Sequence, residues 1–161
     1  MKTSLVILAS VLLVLGIVGV VYATGDTASS QATVNINEFI SVTVDDATIT
    51  FGSVDAPSTG NVPSNNPLVI TVGGETNINY QVTTESDAGT FTGPGTLNDE
   101  NLKWATTIDG AYTGYVTVPG AQVATGSPGG GSHDLFHKLD IPGGTTAGSY
   151  SLDITLTAKN A

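Results

Sequence analysis

From Ala32 onward the chain keeps returning to one period. In SYSLDITLTA, residues 149–158, Tyr150, Leu152, Ile154 and Leu156 alternate with Ser151, Asp153 and Thr155. Alternation of this kind marks a strand with one buried face. It recurs in TNINYQVTT (Ile78, Tyr80, Val82), in LFHKLDI (Leu135, His137, Leu139, Ile141) and in LKWATTI (Leu102, Trp104, Thr106, Ile108). TITFG places Ile49 and Phe51 on one side, and LVITV reads as a short buried strand. Between these runs lie Gly/Pro/Asn-rich connections such as SVDAPSTGNVPSNNP, GGE and PGGTTAG. Asp109-Gly110 is a hairpin signal before a return strand in GYVTVPG. AQVATGSPGGGSHD reads as a flexible loop. No amphipathic helix follows the first 23 residues. About eight to ten short strands with such turns predict an all-β fold, an antiparallel β-sandwich of the Ig-like or jelly-roll type with long loops.

Residues 1–23, MKTSLVILASVLLVLGIVGVVYA, form a separate segment. Lys2 opens it, an apolar run follows, and Val21 and Ala23 supply small residues for cleavage after Ala23. This is a secretory signal helix, or, if uncleaved, a membrane anchor. Either way residues 24–161 are expected outside the cytoplasm, secreted or at the cell surface. The expected organisation is a signal peptide at 1–23, an N-terminal extension at 24–36 and a sandwich domain at 37–161.

Charge narrows the functions. The formal net charge is −10, and loss of the leader removes Lys2 to leave −11. The rest of the chain has three lysines and no arginine, which cannot neutralise a run of phosphates. Nucleic acid is excluded as a partner, and a membrane would be reached only through an uncleaved leader. There is no cysteine, so neither a thiol nucleophile nor a disulfide frame is available.

No catalytic motif stands out, and the chain reads as a non-enzyme. His133, Asp134 and His137 lie in a strand. Four strand residues span about 13 Å, too far for both histidines to grip one metal ion; His137 is expected at a sheet margin. Asp99 and Glu100, in the loop TLNDEN with Glu85 and Asp87 upstream, are a candidate calcium group. The other reading of that loop is a solvated acidic turn with Asn98 or Asp99 satisfying turn amides. No other cofactor is expected. Adjacent Asp45-Asp46 sits in a turn with nothing to mark a raised carboxyl pKa. GxSxG, GxGxxG and P-loop patterns are absent, as is an Asn-x-Ser/Thr sequon. Trp104, Tyr112 and Tyr115 are candidates for a sugar-stacking platform, with core packing the alternative for Trp104.

The stretches ATVNINEFISVTV, TITFGSV and HDLFHKLDIPGGTTAGSYSLDITLTA, behind a signal peptide and in a cysteine-free chain, resemble the TasA/camelysin class of biofilm matrix-fibre subunits, whose archaeal relatives include the bundling pilins. The resemblance implies a subunit that polymerises head-to-tail, its N-terminal segment filling a groove in the next copy. Camelysin relatives have been described as metallopeptidases, but no residues here mark a peptidase site. The parity of residues 32–44 breaks at Asn37–Phe39, where Glu38 falls on the apolar face. Residues 24–36 are therefore the expected donor, with Ala32, Val34 and Ile36 as its plugs, and 39–45 the first strand of the body. A single bent strand within a monomer is the alternative. The partners expected are other copies of the chain, with neighbouring filaments or cell-surface polymers beyond them. Two further classes fit the sequence: a membrane-anchored adhesin or carbohydrate-binding domain, and a surface-layer or matrix component.

Overall fold

The structure is a computed structural model and describes residues 30–117 and 120–161. The predicted signal helix and cleavage site lie outside the described residues. The chain divides after Ile36 into two units, Met1–Ile36 and Asn37–Ala161. Of the first, residues 30–36 are described; they form no strand, and Val34 and Ile36 are each 79% exposed.

The second unit is almost entirely β. Among the described residues nine strands follow in order: β1 (Val42–Val44), β2 (Ser58–Asn61), β3 (Leu68–Val72), β4 (Tyr80–Ser86), β5 (Leu102–Ala105), β6 (Thr113–Gly114), β7 (Ala121–Gly126), β8 (Gly131–Ile141) and β9 (Ile154–Asn160). The described helix is one 3-10 turn, Asp99–Asn101, leading into β5. All pairings are antiparallel. One sheet has the order β1-β3-β8-β5-β6, and the other β7-β4-β9.

β8 organises the larger sheet. Its first half pairs with β3, from Leu68 opposite Leu135 to Val72 opposite Gly131. Its second half pairs with β5, from Leu102 opposite Leu139 to Ala105 opposite Phe136. β2 also reaches Leu139 and Ile141. Because β5 already takes one edge at Leu139, β2 lies on the other, in line with β3. Alternation sorts the β8 side chains: Leu135, His137, Leu139 and Ile141 are buried. In β4 the buried set is Tyr80, Val82, Thr84 and Ser86. Both sheets contribute to one apolar core, Ile70, Leu135 and Leu139 from one and Tyr80, Val82 and Val123 from the other.

Several expectations are corrected. AQVATG is a strand, β7, rather than part of a loop. Its alternation is weak because two of its inward groups are small, and its place is set by pairing with β4. Gly126 is required there: a Cβ would meet the ring of Tyr80, its register partner. TITFG is not a strand, although its side chains alternate; its main chain is bonded by residues 64–65 instead of a ladder. The return strand in GYVTVPG shrinks to Thr113–Gly114, and β5 ends at Ala105, leaving Ile108 62% exposed.

Ile70 has no exposed surface and packs in the centre of this core. Truncation leaves a cavity between well-packed neighbours, so Ile70→Ala should lower unfolding free energy by about 3 kcal/mol. Urea titration of the variant checks this.

Candidate functional site: an open seam between two sheet edges

The residues proposed for chemistry do not assemble. Asp99 is buried and its carboxylate is used internally. Ser86 Oγ donates to Oδ2 at 2.5 Å, and the Glu100 amide donates to Oδ1 at 2.9 Å. Glu100 is exposed. Among the described residues no three His, Cys, Asp or Glu side chains converge as a metal group. Asp45 and Asp46 act as local caps, accepting from the amides of Val69 and Thr48.

The aromatic residues separate too. Trp104 is in the core, and Tyr115 is 1% exposed, so Tyr115 cannot belong to a surface sugar platform. Tyr112 is half-buried beneath Lys138, whose Nζ sits 4.0 Å from the ring centroid. Lys103 pairs with Asp140 at 2.5 Å and holds its carboxyl below the usual carboxylate range. Two of the three lysines beyond the leader are thus occupied within the subunit.

His137 was expected at a sheet margin and is instead buried. Its backbone amide donates to Asn66 Oδ1, and its Nε2 lies 2.8 Å from Tyr115 Oη. Sequence alternation put it on the inward face but could not show its phenol partner, 22 residues away. Burial disfavours the imidazolium and pulls its pKa from 6.5 to about 4. The unfolded chain therefore takes up a proton below about pH 6.5 that the folded chain refuses until about pH 4. Stability falls as pH drops through that window, by roughly 3 kcal/mol from this group. Denaturant melts from pH 7 to pH 4 should show the loss, and Tyr115→Phe combined with His137→Leu should flatten it.

The feature that carries interaction chemistry was not legible as a motif. Among the described residues β1 and β9 are edge strands of opposite sheets, and no described segment fills the seam between them. A groove of about 860 Å³ runs there. One wall is the segment 44–54 and the other is 148–156. Its floor reaches core residues including Leu68, Leu102, Leu135, Leu139 and Ile141. A second hollow of about 240 Å³ lies between Val42–Val44 and Ile154 and Leu156.

The edges carry both things a strand could use. The Asp87 amide donates to Asp153 O, which fixes the odd-numbered residues of β9 as those facing β4. The N–H and C=O groups of Ile154, Leu156 and Ala158 therefore point away from β4. Their side chains are half-buried against the core. An apolar half-covered face beside an unpaired backbone edge is an acceptor for β-addition.

The donor candidates Ala32, Val34 and Ile36 are all exposed. The next residues are tied down. Asn77 Nδ2 donates to Asn37 O, the Phe39 amide donates to Asn77 Oδ1, and the Asn77 amide donates to Phe39 O.

No family model matches the chain, and no curated protein matches it significantly.

Proposed function

We propose that the protein is a structural subunit of an extracellular filament, a pilus or matrix fibre, that polymerises head-to-tail by strand donation. The two sheets form a β-sandwich with one seam unfilled. Residues 30–36 of a second copy fill it, with Ala32, Val34 and Ile36 as plugs along β9. The observation that carries this reading is the groove, floored by core side chains, beside a β9 edge that has no partner strand among the described residues.

Chemistry and size agree. SQATVNI has no charged residue, so the donor itself brings no charge to be desolvated. Seven extended residues span about 23 Å, the length of the seven-residue β9. No glycine or proline between Ser30 and Val44 offers a tight reversal, and Asn37 and Phe39 are tied to Asn77. This favours a neighbour's groove over the strand's own. A contact that joins a segment of one copy to a groove of the next is heterologous and propagates. The resemblance to matrix-fibre subunits of the TasA/camelysin class points the same way, and the apolar leader fits an exported chain.

The plugs alone are marginal. Burying Val34, Ile36 and the small Ala32 contributes roughly 4–5 kcal/mol. Association costs about 4–15 kcal/mol in lost freedom before side chains are ordered. Backbone pairing has to supply the surplus.

Removal of residues 24–36, or Val34→Asp with Ile36→Asp in the full chain, should leave a folded monomer by light scattering and circular dichroism. Fibres from either variant would exclude the donor assignment. Because each copy carries a charge of about −11 without its leader, fibre growth of the unaltered chain should also rise with salt.

A further inference from the structure

One stretch of this chain has strand side chains without strand partners. Thr48–Phe51 runs with no turn or bend along the wall of the groove. On one side its main chain is held. The Thr50 amide donates to Asn65 Oδ1 at 3.1 Å, and the Ser64 amide donates to Thr50 O at 2.9 Å. Asn65 Nδ2 also donates to Thr48 O and, at 2.7 Å, to Asp46 Oδ2. Asn65 thus acts as a side-chain substitute for a ladder partner.

The other side is bare. In an unbent segment successive residues direct their backbone groups to opposite edges. With Thr48 and Thr50 facing residues 64–65, Ile49 and Phe51 face away from them. Neither has a hydrogen-bonded backbone group among the described residues. Phe51 is half-buried on the core, and Ile49 lines the same groove. Ile, Thr and Phe are residues that fit a pleated, half-buried surface. The sequence therefore specifies a strand at a place where the isolated subunit supplies a partner on one edge only.

We infer that Thr48–Phe51 is a conditional strand, completed when a second copy's residues 30–36 enter the seam and bond to the Ile49 and Phe51 backbone. The inference rests on the strand-donation reading above. It makes the acceptor two-sided: β9 takes one edge of the donor and Thr48–Phe51 the other. A strand has two edges, its even-numbered residues pointing to one and its odd-numbered to the other. The donor can therefore satisfy both walls while Ala32, Val34 and Ile36 stay directed at the core. Each backbone bond adds a modest net stabilisation, so a second row of bonds supplies the surplus that the plugs lack. Asn65 is the positioning residue, since it keeps the wall extended before the donor arrives.

Residue-resolved amide exchange tests this on the full mature chain. Filaments are compared with the unassembled Val34→Asp, Ile36→Asp chain, with exchange quenched before dissolution. Slowing of Ile49 and Phe51 by at least about tenfold on assembly, together with Ile154 and Leu156, is the expected result. Slowing at Ile49 and Phe51 alone keeps the conditional strand and moves the donor off β9. Slowing confined to Ile154 and Leu156 overturns the conditional strand and leaves strand donation intact. Ile49 and Phe51 amides already protected in the unassembled chain also overturn it. A full chain that forms no filament removes strand donation, and the conditional strand with it.

Discussion

An edge of a β-sheet is an unfinished object. Its outward N–H and C=O groups must find water or another strand, and its inward side chains must find cover. In this protein two edges from opposite sheets meet at one seam, and neither covers the other. β9 brings Ile154, Leu156 and Ala158 there half-buried, with their backbones pointing outward. β1 brings Val42 and Val44, the latter 38% exposed. The other side chains at the heart of the fold, Ile70, Val82 and Leu135, are closed off almost completely. The contrast between a sealed centre and an unsealed seam is what makes a small β domain a candidate building block.

The rest of the described structure is packed around that arrangement. Its polar interior is spent on structure: Asp99 holds Ser86 beside the 3-10 turn, and His137 meets Tyr115 under the larger sheet. Two of its three lysines beyond the leader, Lys103 and Lys138, are paired or stacked within the subunit. What remains is an acidic surface of small polar groups. Like-charged copies repel at a distance, so attachment has to come from a short-range contact that excludes water. In the proposed filament the uncharged donor and the core-floored seam would provide one.

Much of the fold could be read from alternation alone. β4, β8 and β9 are long enough, and their apolar residues large enough, for period two to identify both the strands and the inward faces. The signal failed where side-chain size or pairing overrides periodicity. Ala121 and Ala124 are too small to announce β7, which exists because β4 has an edge to offer it. Thr48–Gly52 announces a strand that the isolated subunit does not complete, because Asn65 bonds one side of it and nothing described bonds the other. The groove itself was not legible, since it arises from edges 110 residues apart in the chain. The sequence did single out Ala32, Val34 and Ile36, but only as an alternating run; the acceptor chemistry facing such a run required the sheet order.

Because the chain has no cysteine, engineered pairs report contacts without background. The most direct measurement of the central claim places one cysteine on the donor and one on the acceptor edge, Val34→Cys or Ile36→Cys with Ile154→Cys, Leu156→Cys or Ala158→Cys. Each chain is assembled and oxidised, then run in denaturing, non-reducing gels. Strand donation between copies predicts that at least one pairing yields a ladder of covalent multimers that collapses on reduction. Disulfide formed only within single chains across all pairings, or no disulfide in well-formed fibres, would contradict it.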